Sequence, residues 1–225
     1  MKAAFFDFDD TIVSKSSAGV ALMYFYHKGE VGIASILNGF LWGIKHKLNL
    51  ADGEKMFKAG ADMVKGYKEE RLKEIMLDVF NEKIVHLIYQ EAWDAIQAHI
   101  KAGDIVAILS SSPPYLLNLF AKFAGIKHVI CSSQVVKDGV MTSELVRPIC
   151  YGDGKVFWAE KFLKEHNLTW EGSYYYADSN SDSPVFEKVT YPICVNPDPR
   201  LRRKAQKKNW KIVNYQKLYD PAKKD

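Results

Sequence analysis

Cysteine is scarce in this chain: Cys131, Cys150 and Cys194 are the only three in 225 residues, and none forms a C-x-x-C pair. That argues against a disulfide framework and a cysteine zinc site, and fits buried thiols in a reducing compartment. Histidine offers no metal site either, because His27, His46, His86, His99, His128 and His166 are scattered without zinc-ligand spacing. Long apolar runs are missing as well. The longest, Val31 to Ile44, is broken by Ser35, Asn38 and glycines. It falls short of the roughly 20 residues that cross a bilayer and reads as a buried helix. Behind Met1-Lys2 the chain turns at once to Ala-Ala-Phe-Phe and an acidic cluster, without the apolar region and cleavage site of a secretory leader, so a cytoplasmic protein is expected. With 8 prolines, 14 glycines and 48% hydrophobic residues, a collagenous, low-complexity or disordered chain is excluded.

Charge is present but uneven. The total is +4, yet Arg200 to Asp225 holds ten Lys/Arg against Asp220 and Asp225, or +8, which leaves −4 for the rest. A basic end can serve nucleic acid or an anionic membrane surface. The blander reading, a solvated helix and tail in which Leu201 and Ala205 face inward, is preferred. A nucleic-acid partner is not expected.

The texture of the chain changes twice. Ala3 to Phe8 reads as a short buried strand. From about Ser16 to Gly103 the pattern is helical throughout, with expected helices at 18–27, 31–47, 53–64, 68–80 and 84–101. After Gly103, short apolar runs alternate with amphipathic ones: strands at 104–109, 127–130, 173–177 and 191–195, and helices at 113–124, 154–166, 183–189 and 199–208. Lys137-Asp138-Gly139 carries an Asp-Gly hairpin signal. Strands alternating with helices predict an α/β fold, a Rossmann-like parallel sheet with helices on both faces. Residues 1–13 and 90–225 form that core, and 14–89 an inserted all-helical cap. Ligands of such sheets sit beyond the carboxyl ends of the strands.

Polar residues gather at those ends. The first strand finishes Phe6-Asp7-Phe8-Asp9-Asp10-Thr11; Asp7 and Asp9 share a face in extended chain, and two such carboxylates call for a cation or a shared proton. Ser110-Ser111-Ser112-Pro113 follows the second core strand, where hydroxyls and N–H groups at a helix start suit an anion, although an ordinary serine cap is the simpler use. Gly152-Asp153-Gly154-Lys155 puts a lysine in a first helical turn, against the helix dipole. Tyr174-Tyr-Tyr-Ala177 leads into Asp178-Ser-Asn-Ser-Asp182, two more carboxylates between a strand and a helix. Singly these are turns, caps and surface lysines. Together they lie on one sheet edge, and their hard oxygen donors suit Mg²⁺ with a substrate phosphate.

In this order the segments resemble the haloacid dehalogenase superfamily: Asp7-Phe-Asp9-Asp-Thr11 its first motif, Ser110 its second, Lys155 its third and Asp178 to Asp182 its fourth, over about the first four-fifths of the chain. The helical insert resembles the cap of the phosphoserine-phosphatase-like branch, subfamily IB. The resemblance implies a Mg²⁺-dependent phosphatase acting on a small phosphorylated metabolite. Asp7 is then the nucleophile, Asp9 the general acid and base, and Asp7, Asp9 and Asp178 the metal ligands. Ser110, Ser111, Lys155 and the Asp10 N–H hold phosphate, with Asp182 and Thr11 in supporting places. Two positions depart from the pattern. Asp10 stands where glycine or another small residue is usual. Ser16 stands nine residues after the nucleophile, where phosphoserine phosphatases carry a glutamate for the substrate ammonium. Narrower alternatives are a phosphoserine or histidinol-phosphate phosphatase; from a different class, a nucleic-acid or membrane-surface binder using the basic end. Tyr24, Phe25, Tyr26, Phe40 and Trp42 are candidates to line a pocket or fill the cap. Substrate and oligomeric state are left open.

Overall fold

The computed structural model describes residues 2–33, 36, 37, 41 and 52–223. In chain order, β1 (Ala3–Phe6) leads to α1 (Ser17–His27), α2 (Gly53–Met63), α3 (Glu69–Glu82), a 3-10 turn (Ile84–Leu87) and α4 (Gln90–Lys101). Then come β2 (Ile105–Ser110), α5 (Pro114–Ala124), β3 (His128–Cys131), β4 (Gln134–Lys137), β5 (Val140–Leu145) and α6 (Asp153–Glu165). The chain continues through β6 (Tyr174–Ala177), α7 (Ser183–Phe186), β7 (Tyr191–Val195), α8 (Pro199–Lys208) and β8 (Lys211–Val213). The expected helix over 31–47, with Phe40 and Trp42, lies largely outside the described residues.

Six strands form one parallel sheet in the order β3-β2-β1-β6-β7-β8. β1 is central, and successive side chains of a strand point to opposite faces. Ala4, Phe6 and Phe8 therefore pack into one apolar layer with residues of α3, α4 and α5, while Ala3 and Phe5 join the other with α6, α7 and α8. This is the doubly covered α/β sheet predicted from the alternation of strands and helices. After β1 the chain goes to β2 on one side and later to β6 on the other, so a crevice opens at the carboxyl ends of β1 and β6.

Residues 14–89, expected to be an insert, are joined to the sheet layer by more than the two chain crossings. Tyr24 and Phe25 of α1 and Leu72, Ile75 and Val79 of α3 are buried in the same layer as Phe6 and Phe8, whereas Tyr26 is exposed. β4 and β5 form the hairpin signalled by Asp-Gly, with φ of 49° at Asp138 and 73° at Gly139, the left-handed pair that a two-residue hairpin turn requires. The hairpin is stitched to the α2–α3 link: Gly66 N–H donates to the Met141 carbonyl at 2.9 Å, Met141 N–H to Tyr67 at 2.9 Å, and Glu69 N–H to Gly139 at 2.8 Å.

Two expectations are corrected. The stretch 84–101 is not one helix. After the 3-10 turn, Ile88 and Tyr89 are extended and bridge Val13 and Leu218, because Tyr89 N–H donates to Ile12 and Tyr219 N–H to Ile88; tertiary pairing outweighs local helical periodicity there. Nor is the basic end a simple solvated tail. Leu201 and Ala205 of α8 do face inward, but β8 then completes the sheet edge. Tyr219 is buried against Trp93 and Phe123. The cysteines are free, with Cys150 and Cys194 buried; burial pushes the Cys194 thiol up to about 12. Among the described residues no helix is long and apolar enough to cross a membrane.

α6 starts in a tight place. A Cβ added at Gly154 would lie 1.9 Å from the backbone carbonyl oxygen of Ile149, so only glycine fits without moving the helix start. Gly154→Ala is expected to lower the unfolding free energy by about 1–3 kcal/mol in urea titration; an unchanged midpoint would show that the turn yields freely.

Candidate active site

α6 buries Lys155, Ala159, Phe162 and Leu163, a stripe at helical spacing whose first member is a lysine where periodicity asks for an apolar residue. Its side chain crosses to the carboxyl end of β1. The Nζ lies 3.2 Å from Asp7 Oδ1 and 2.8 Å from Asp182 Oδ1, and it donates to the Tyr175 hydroxyl at 3.0 Å. Lys155 and Asp182 are 2% and 1% exposed and Asp7 7%, so this ion triad is desolvated and its members depend on each other. Burial pulls the ammonium down, but Asp182 and Asp7 outweigh it and hold Lys155 well above its ordinary value. Burial pushes the Asp182 carboxyl up to about 6, against the pull of Lys155.

Asp178 follows β6 and is half-buried. Burial raises its carboxyl well above the usual range, and Asp7, Asp10 and Asp182 add to the rise, opposed by Lys155. The buried Thr11 hydroxyl donates to Asp178 Oδ1 in a long bond of 3.5 Å. Asp9 is held from two sides: Ser112 Oγ donates to its Oδ2 at 2.6 Å, and Ser17 N–H donates to Oδ1. Burial nevertheless pushes Asp9 up to about 6, reduced by those hydrogen bonds and increased by Asp7.

Ser110 ends β2 with its side chain buried, its Oγ accepting from Ser112 N–H at 3.2 Å; Ser111 is half-buried in the following bend. Asp10 has φ of 53° and an exposed side chain. That left-handed backbone is why glycine suits the place and why aspartate is among the residues that tolerate it. Ser16 caps α1, its Oγ accepting from Gly19 N–H at 3.4 Å. Asp7, Asp9, Ser110, Ser111, Lys155, Asp178 and Asp182 thus all stand at strand ends or the adjoining helix start on one edge of the sheet. Sequence reasoning assigns no individual role to Ser17, Ser112, Tyr175 or Asp198. Asp198 N–H donates to the Asp178 carbonyl at 2.9 Å and Asp198 Oδ2 accepts from Asn180 N–H at 2.7 Å, while Oδ1 caps α8. The signal was there in Asn196-Pro-Asp198-Pro-Arg200, an acid directly before a proline that can open a helix.

A model of the haloacid dehalogenase-like hydrolase family matches residues 4–187. The chain belongs to that family. Among curated relatives of this chain, one from Mycobacterium tuberculosis, named a probable phosphatase, is 29% identical over 95% of this chain and 75% of its own. A histidinol-phosphatase from Neisseria meningitidis is 25% identical over 94% of this chain and 98% of its own. Two solved structures superpose well. A Bordetella pertussis protein of unknown function has a TM-score of 0.86 at 24% identity, covering 95% of this chain and 98% of that one. A substrate-bound phosphoserine phosphatase has a TM-score of 0.73 at 17% identity, over 94% and 92%. At that identity they report the fold.

The donor set fits a divalent cation. Asp7 and Asp182 share one buried ammonium, Asp9 and Asp178 have no ion-pair partner of their own among the described residues, and the Asp178 carboxyl is penalised by three neighbouring carboxylates. Oxygen donors with an excess of negative charge are what Mg²⁺ takes. Among the described residues no group of three or more acid, histidine or cysteine side chains is drawn together closely enough to hold a metal ion by side chains alone.

Lys155→Met should reduce stability by about 3–5 kcal/mol, since it strands two buried carboxylates. Adding Asp182→Asn to it should recover part of that loss in urea unfolding; a double variant no more stable than Lys155→Met would refute the pairing.

Proposed function

We propose that this chain is a phosphoric monoester hydrolase that cleaves a small phosphomonoester through an aspartyl-phosphate on Asp7. The observation that carries the reading is the buried ion triad: Lys155 neutralises charge at a carboxylate that faces the open end of the β1–β6 crevice. A phosphate dianion approaching an anionic nucleophile is repelled, and the fixed ammonium and the donors at Ser110 and Ser111 offset that repulsion. Residues 1–13 and 90–225 act as the hydrolase core, and 14–89 as a cap over it.

In the first step an Asp7 carboxylate oxygen forms a bond to phosphorus while the ester P–O bond breaks. Asp9 gives its proton to the departing alkoxide. In the second, a water oxygen attacks the phosphorus and passes a proton to Asp9 as the Asp7–phosphorus bond breaks, which restores both carboxyls. Lys155, Ser110, Ser111 and the Asp10 N–H hold phosphate oxygens, Asp182 fixes Lys155, and Thr11 steadies Asp178. The Asp7 and Asp178 side chains with the Asp9 carbonyl would hold Mg²⁺, whose positive charge lowers the barrier to bringing phosphate and nucleophile together.

The cap argues for a substrate without an ammonium beside its phosphate. Ser16, in place of glutamate, offers a neutral hydroxyl already engaged in capping α1. Four acids of that segment are occupied: Glu30 by Arg71 and Tyr67, Glu54 by Arg147, Asp62 by Lys58, and Asp52 by the N–H groups of α2.

Asp7→Asn is expected to abolish phosphate release while leaving the protein folded, because an amide cannot replace the nucleophile; substantial turnover by the folded variant would sink the covalent mechanism. Phosphoserine should be a poor substrate beside glycerol phosphate, histidinol phosphate and lysophosphatidate, since a carboxylate partner for the ammonium is worth roughly 2–5 kcal/mol. A kcat/KM ranking with phosphoserine clearly first would overturn the inference from Ser16 and leave the phosphatase reading standing.

A further inference from the structure

We infer that Ser112 is a positioning residue for the proton carried by Asp9, and that it does this jointly with Ser17, the first residue of α1. The inference rests on the phosphatase reading and goes beyond it in assigning roles to Ser112 and Ser17.

A serine between a strand and a helix ordinarily caps the helix. Ser112 does not. The cap position of α5 is Pro113, and no side-chain hydrogen bond closes that helix start. The Ser112 hydroxyl turns the other way and donates to Asp9 Oδ2 at 2.6 Å, the short distance of a hydroxyl on a carboxylate. Its own N–H is held by Ser110 Oγ at 3.2 Å, so the turn that presents Ser110 also fixes Ser112. From the insert, Ser17 N–H donates to Asp9 Oδ1, and Ser17 Oγ lies 3.5 Å from Ser112 Oγ. Both serines are buried, Ser17 at 2% and Ser112 at 9% exposure.

The two donors differ in kind. A backbone N–H only donates, so Oδ1 is kept as an acceptor whether Asp9 is charged or protonated, and the mobile proton belongs on Oδ2. A hydroxyl both donates and accepts. Ser112 can donate to the carboxylate and, after rotating its own hydrogen toward Ser17 Oγ, accept from the acid. The pair therefore serves both protonation states of Asp9 without moving the carboxyl group. The proton leaves Oδ2 for the ester oxygen as the P–O bond breaks and returns from the attacking water, so the count closes over one turnover. Because Ser17 opens α1, the setting of Asp9 also depends on the insert being seated on the core.

Leaving groups test this. An alkoxide needs the Asp9 proton and a p-nitrophenolate does not, and kcat/KM reports the step in which the leaving group departs. Ser112→Ala is expected to lower kcat/KM for glycerol phosphate by about 10- to 100-fold, within the range of general-acid contributions, and to change that for p-nitrophenyl phosphate by less than about threefold, which is under 1 kcal/mol. Ser112→Thr, which keeps the hydroxyl, should restore most of the glycerol phosphate rate. Equal losses on the two esters, no loss on either, or failure of threonine to rescue while the fold is retained would each overturn the role of Ser112. If Ser112→Ala fails to fold, the same split read on Ser112→Cys, a weaker donor of similar size, decides between the outcomes. A wild-type protein that hydrolyses neither ester would instead bring down the phosphatase reading itself, and this inference with it.

Discussion

A single ammonium, buried with hardly any contact with water, is what the carboxyl edge of the sheet is built around. Removing Lys155 from its place between Asp7 and Asp182 would leave like charges facing each other in a desolvated crevice, and nothing nearby among the described side chains supplies a second cation. Other features follow from that need. Tyr175, inside the sheet, turns its hydroxyl to the ammonium instead of presenting a fully apolar face. Gly154 lets α6 begin against the Ile149 carbonyl, close enough for a lysine one residue later to reach across. The helix dipole opposes a cation in that turn, and the two carboxylates are close enough to outweigh it.

The same edge shows why the residues must come from distant parts of the chain. Asp7 and Asp178 are brought near by parallel pairing of β1 with β6, Ser110 by pairing of β1 with β2, and Lys155 by the helix that covers their common face. Register is fixed by the alternation of Ala3 and Phe5 against Ala4 and Phe6; a one-residue slip would exchange the two apolar layers. Burial of the core thus sets the alignment of the site, and the site adds little stability of its own, since the ion triad returns in attraction much of what its desolvation costs.

The sheet was legible in the sequence because its strands are short apolar runs that end in Asp, Ser or Asn, and the order of those endings identified the edge. What escaped was whatever depended on contacts between distant segments. Ile84 to Tyr89 has helical periodicity, yet Ile12 and Tyr219 claim its backbone groups. β8 is only three residues between charged neighbours, too brief to stand out from the basic stretch before it. Ser17 and Ser112 are ordinary serines in sequence, 95 residues apart, and only the fold turns both to one carboxylate. Asp198 was visible as a helix opener, but its hold on the Asp178 loop was not.

The return of the chain past β8 carries a practical consequence. Glu91, in the first turn of α4, accepts the N–H groups of Gln216 and Lys217, and Tyr219 N–H reaches back to the Ile88 carbonyl just before α4. The stretch that straps residues 88–91 thus follows closely on α8, the most cationic helix of the chain. A cut before α8 would remove the charge and the strap in one stroke, so charge reversal along the exposed side of α8, with the strap intact, is the way to separate the two.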